Sequence, residues 1–163
     1  MKIVVFTCNT GGGHNSCARY ISEEFNKSGI DCDVFDYMKL FSESASKKAE
    51  KLYLNSTLGK GNIFKTPVYG FNKMAVKKLD SFLKENGYDL AICTHVFPAL
   101  ALSALKKKRE IKFINVATDY ECIPFWNETN PDLFVIPSEL LINNFVEKGI
   151  NKELSPHTIR HSF

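Results

Sequence analysis

Absences narrow the class of this 163-residue sequence first. No apolar run reaches the roughly 18 residues that a membrane-crossing helix needs, so nothing in it reads as a span. The apolar start, Met1 to Thr7, is short and has no small-residue cleavage site. It reads as a buried strand rather than a signal peptide, and the expected compartment is the cytosol. The five cysteines, Cys8, Cys17, Cys32, Cys93 and Cys122, make no CxxC pair and no metal-ligand spacing. An odd, scattered set of this kind implies reduced thiols that act mostly as small core hydrophobes, and no metal site. Cys8, beside a glycine-rich turn, is the one placed to react. Neither GxGxxG nor GK[ST] occurs, which argues against a self-contained nucleotide-binding domain built on those motifs. The net charge of +3 is too small to argue for nucleic acid. No internal repeat or low-complexity tract is present.

What remains is globular. A hydrophobic fraction of 44% with 24% charged residues, at this length, fits one domain with a sizeable core. Lys2 to Thr7 is near-continuously apolar, as in a parallel strand covered on both faces. From Asn15 to Lys27, Cys17, Ala18, Ile21 and Phe25 recur at the spacing of a helix with one buried stripe, and Gly29 stops it. Further strands are predicted at Asp31–Tyr37, Leu90–Thr94, Lys112–Ala117 and Leu133–Ile136. Helices are predicted from Pro98 to Lys107, and from an N-cap at Ser138 through Val146 to a stop at Gly149. Strands alternating with helices predict an α/β fold, a doubly wound and mostly parallel Rossmann-like sheet.

The segment of about 40–84 is oversized for a strand-to-strand crossover, which needs only about a dozen residues. It reads as two helices joined by a loop, heavily apolar and aromatic. It also carries Lys47, Lys48, Lys51, Lys60, Lys65, Lys73, Lys77 and Lys78 against Glu50 and Asp80. That asymmetry suits an anionic surface, although a solvated helical face has the same composition. Residues 1–150 form the expected domain, with 151–163 as the start of a connector.

The candidate sites all fall where strands are predicted to end, which is where open α/β sheets collect ligands. Thr10-Gly11-Gly12-Gly13-His14 follows the first strand. Its glycines allow positive φ and close approach of the backbone to a ligand, and the following helix directs its free N–H groups at an anion or a developing oxyanion. A neutral His14 there is placed to accept a proton from a substrate hydroxyl, with a plain tight turn and a satisfied core histidine as the open structural alternatives. His95 follows another strand in Thr94-His95-Val96-Phe97-Pro98, where orienting a ligand and starting a helix are equally open roles. Asp119 follows a third strand and is placed to orient a histidine or hold a hydroxyl. Phe125 and Trp126 then offer either exposed apolar surface, suited to a sugar face, an acyl chain or a bilayer interface, or loop packing.

Three segments in this order, TCNTGGGHNSCARYISEEF, CTHVFPALAL and VATDYECIPFW, resemble the N-terminal half of the monogalactosyldiacylglycerol synthase and processive diacylglycerol glucosyltransferase family. The resemblance runs over nearly the whole chain. It implies one half of a two-domain GT-B glycosyltransferase that moves a sugar from a UDP-sugar to diacylglycerol or a related glycolipid, with no tightly bound metal or cofactor. By this resemblance His14 is the base, Gly11, Gly12 and Gly13 line the cleft, and Asp119 supports the site. His95, Phe125 and Trp126 lie on the acceptor side. Lys65, Lys73 and Lys77 lie in the segment where the family contacts the membrane, which implies a cytoplasmic protein peripheral on an anionic inner membrane face. The donor half is not in the sequence. The connector Pro156-His157-Thr158-Ile159-Arg160 departs from the family's Gly-[Ile/Leu]-Pro pattern. A non-catalytic membrane-binding module is the alternative of a different class. A face meant for the second domain would let the chain associate with itself.

Overall fold

A computed structural model describes residues 1–8, 12–41, 47, 65–153 and 157–158, with 65–74 and 157–158 described by backbone alone. Six parallel strands form one sheet in the order β2-β1-β3-β4-β5-β6. They are β1 (Lys2–Thr7), β2 (Asp31–Asp36), β3 (Leu90–Cys93), β4 (Phe113–Val116), β5 (Leu133–Ile136) and β6 (His157–Thr158). The order steps outward on both sides of β1, as expected of a doubly wound sheet. The two-residue β6, within the stretch read as a connector, pairs Val135 with His157 and Ile136 with Thr158. Two residues of backbone pairing leave no apolar pattern to read.

The helices follow from side-chain spacing. In α1 (Gly12–Lys27) Ala18 and Ser22 are buried, with Cys17, Ile21 and Phe25 packed beside them. Gly29, at φ +76, ends the turn that follows, a backbone conformation that glycine adopts without a Cβ penalty. The segment α2 (Lys65–Asn86) is one helix of 22 residues. Ala75, Val76, Leu79 and Leu83 form its buried stripe. The other helix predicted in the insertion falls on 42–46 and 48–64, outside the described residues. In α3 (Val96–Lys106) burial runs from Val96 through Ser103 with no polar face, so this helix lies sandwiched in the core. It begins two residues before the predicted Pro98, because His95 caps it. Ser138 is the expected cap, its side chain accepting from the Leu140 N–H, but it opens a short 3₁₀ turn before α4 (Ile142–Glu147).

Alternation along β1 sends Val4 and Phe6 to one face and Ile3 and Val5 to the other. The first face carries the larger core, where α2, α3 and Phe145 of α4 pack. The second is covered by α1. Both faces of the sheet are therefore apolar, as all-parallel sheets require. Among the described residues no helix is long and apolar enough to cross a membrane.

Candidate active site

Three strand ends converge. α1, the element next after β1, carries His14; Thr94 and His95 follow β3; Thr118 and Asp119 follow β4. Thr7, the last residue of β1, donates through its hydroxyl to Asn15 Oδ1 at 2.8 Å, which ties the start of α1 to the strand. His14 is thereby held over the carboxyl edge of the sheet with 9% of its surface exposed.

Its ring nitrogen Nδ1 lies 2.7 Å from the Thr94 carbonyl oxygen and 2.8 Å from Thr118 Oγ1. A carbonyl oxygen can only accept, so Nδ1 carries the hydrogen. A neutral imidazole has one N–H, and Nε2 is left with its lone pair as the nitrogen able to take a proton. The groups that orient His14 are thus a backbone carbonyl and a hydroxyl. Asp119, the orienter considered from sequence, makes no described hydrogen bond to His14. It lies one residue past Thr118 with Oδ2 buried and without a hydrogen-bond partner among the described residues.

His95 is fully buried. Its Nδ1 accepts from the Phe97 backbone N–H at 3.2 Å, which makes it the N-cap of α3. Its ring meets that of His14 edge-on, with centroids 4.9 Å apart at 76°. Burial, and then the neighbouring His14, push its pKa well below the ordinary histidine value, so it stays neutral. An acceptor contact at His95 is therefore not what the structure places there; the residue caps a helix and backs the His14 ring.

Phe125 and Trp126 are 2% and 0% exposed, so the apolar surface they could have offered is core packing. Phe125 adopts φ 78, which bends the chain inward, and Trp126 packs edge-on against Phe134 at 5.3 Å. Gly11 lies outside the described residues. Gly12 and Gly13 sit in the first turn of α1, not at positive φ, and a Cβ on either would meet open space. Their contribution is bare backbone facing an open approach. Lys65 and Lys73 lie in the part of α2 described by backbone alone, whereas Lys77 is exposed and shares a shallow surface pocket with Lys39 and Lys78. Cys8 is fully buried, and burial first, then Asp36 and Cys93, raise its pKa, so it is not a reactive thiol. Among the described residues no three His, Cys, Asp or Glu side chains gather as a metal site.

An open cleft of about 770 Å³ runs along α1, lined by Gly13, Cys17, Ile21, Phe25, Thr118 and Pro137 among others. Thr118 belongs both to this cleft and to the His14 contact. Sequence reasoning missed Thr118 and the Thr94 carbonyl as orienters. A carbonyl carries no residue signal, and Thr118 was legible only as the neighbour of a more conspicuous aspartate.

The fold is a Rossmann-like α/β sheet of the kind that makes up about half of a solved glycosyltransferase. It matches the lipopolysaccharide outer core galactosyltransferase WaaB in its apo form with a TM-score of 0.55, at 18% identity, over 99% of this chain and 47% of that one. More particularly, residues 14–156 match the monogalactosyldiacylglycerol (MGDG) synthase family model, and the chain belongs to that family. Processive diacylglycerol beta-glucosyltransferase of Bacillus cereus (strain B4264) is 28% identical over 184 residues, 99% of this chain and 46% of the relative. The enzyme of the same name from Bacillus pumilus (strain SAFR-032) is 28% identical over 166 residues, 91% of this chain and 42% of the relative. The chain thus spans about half the length of the curated relatives it matches.

Proposed function

We propose that this chain is the acceptor-binding half of a glycosyltransferase that moves a sugar from a UDP-sugar to diacylglycerol or a related glycolipid. His14 is the general base. Its Nε2 takes the proton of the acceptor hydroxyl as that oxygen forms a bond to the anomeric carbon of the donor; the bond from that carbon to the diphosphate breaks, and UDP leaves. The observation that carries this reading is the fixed tautomer of His14, whose Nδ1 faces the Thr94 carbonyl at 2.7 Å and whose Nε2 is left to accept. The bare backbone of Gly12 and Gly13 at the start of α1 supports it, since the free N–H groups there favour the partial negative charge that develops in transfer. Binding of the UDP-sugar is assigned chiefly to a second domain of the kind that completes the longer relatives. No tightly bound cofactor or metal is invoked.

The membrane part of the proposal rests on Lys39, Lys77 and Lys78, which line one surface pocket together with Glu85. It places the protein on the cytoplasmic side, peripheral to an anionic bilayer that supplies the acceptor. Self-association of the isolated domain through a face meant for the second domain belongs to the same reading.

The test is His14→Ala in a complete two-domain enzyme that carries this domain. Loss of a general base lowers turnover by about 10²–10⁴-fold. Turnover within a few-fold of the parent would reject the base. Binding to anionic vesicles with no transfer in a donor-complemented enzyme would favour the non-catalytic membrane module instead.

A further inference from the structure

We infer that Thr118 is the positioning residue of the His14 base, the group that fixes the plane of its ring. The inference rests on the reading of His14 as a base but is argued from different contacts.

A single hydrogen bond from Nδ1 to the Thr94 carbonyl settles which nitrogen carries the hydrogen, yet still lets the ring rock about its Cβ–Cγ bond, which swings Nδ1 along an arc. A second oxygen on the same nitrogen narrows that arc. Thr118 Oγ1 supplies it at 2.8 Å, beside the carbonyl at 2.7 Å. The two oxygens come from different strand ends, 80 and 104 residues from His14, so they report the spacing of β3 and β4 and not the local turn. The Nδ1 hydrogen is shared between two acceptors, and the His95 ring stands against the imidazole from the side, 4.9 Å away. Carbonyl, hydroxyl and neighbouring ring together leave one orientation for Nε2. A base held this way meets the reacting hydroxyl already aligned, the condition under which proximity contributes most to rate.

Thr118 also lines the cleft along α1, so its side chain is reachable from the space in which a ligand would lie. Thr118 is partly exposed and valine has the same shape, so Thr118→Val is expected to fold. Asp119, one residue away, is not required by this arrangement.

The experiment uses the 163-residue chain labelled with ¹⁵N, with its four histidines resolved in long-range ¹H–¹⁵N spectra and His14 assigned by its loss in His14→Gln. In the parent, His14 is expected to show a protonated Nδ1, a bare Nε2 and one narrow set of ring signals. Thr118→Val should keep the tautomer, because the Thr94 carbonyl remains, and lose the single narrow set as the ring samples several orientations. Thr118→Ser should restore it. Ring signals in Thr118→Val as narrow and single as the parent's would overturn the inference, as would a parent in which Nε2 carries the hydrogen. The base reading fails separately, through an unchanged turnover in His14→Ala, and the ring spectra do not depend on that result.

Discussion

The imidazoles of His14 and His95 meet edge-on with centroids 4.9 Å apart, yet each is held by Nδ1 in the opposite sense. His14 donates from Nδ1 to the Thr94 carbonyl, whereas His95 accepts at Nδ1 from the Phe97 N–H. One ring is thereby committed to present a lone pair at Nε2, and the other to cap a helix. The helix-starting role that the sequence left open for His95 is the one its Nδ1 fills.

The buried cap predicts a pH dependence of stability. The pKa of His95 in the folded chain lies well below its ordinary 6.5, through burial and then His14. The unfolded chain therefore binds a proton first as pH falls. Stability from this group is complete above about pH 6.5 and declines below it, by up to about 1.4 kcal/mol per pH unit. Urea denaturation between pH 7.5 and 5 reads this directly. His95→Asn, which keeps a capping oxygen, is expected to flatten the slope; an unchanged slope would assign it to other groups.

Trp126 is the only tryptophan and is fully buried against Phe134. Trp126→Ala is predicted to destabilise the chain by about 3–5 kcal/mol, the range for deleting a large aromatic from a packed core. Circular dichroism melts of parent and variant measure the loss. A cost below about 1 kcal/mol would return Trp126 to the surface role its sequence context suggested.

Of the five cysteines only Cys17 is partly exposed, since Cys8, Cys32, Cys93 and Cys122 are buried. Native thiol titration is predicted to give one reactive group and four that react only on unfolding. Burial also raises the Cys17 pKa, so its reaction should accelerate as pH rises through and above 9. Peptide mapping after brief alkylation identifies the site, and rapid labelling of Cys8 would contradict its place in the core.

Membrane attraction is predicted to be electrostatic. Flotation with anionic vesicles should weaken as salt rises, because screening shortens the reach of exposed lysines. Lys77→Gln should reduce binding about fivefold, the equivalent of about 1 kcal/mol per lysine near an anionic surface. Equal flotation at low and high salt, or in parent and variant, would move the contact away from this patch.

Much of the fold was legible because its signals are local. Apolar runs such as Ile3 to Phe6, the stripe of Ala18, Ile21 and Phe25, and stops at Gly29 and Gly149 each follow from residues a few positions apart. The α3 helix was read two residues late because its cap is a histidine, a side chain that caps only when burial holds it neutral. Phe125 and Trp126 have the composition of an exposed loop. Their burial depends on a left-handed bend at Phe125 and on packing against Phe134 of β5, neither of which the residue types of the segment signal.

By itself the sequence determined the alternation of strands and helices, the parallel sheet, the place of His14 early in the helix after the first strand, and the family to which the motifs point. Periodicity and turn chemistry act over a few residues, so they survive without a structure. Only the tertiary structure decided which groups hold the base. The Thr94 carbonyl and the Thr118 hydroxyl reach His14 across 80 and 104 residues. Their meeting depends on the order and spacing of β1, β3 and β4, and a hydrogen bond that selects one tautomer exists only once those strand ends are side by side.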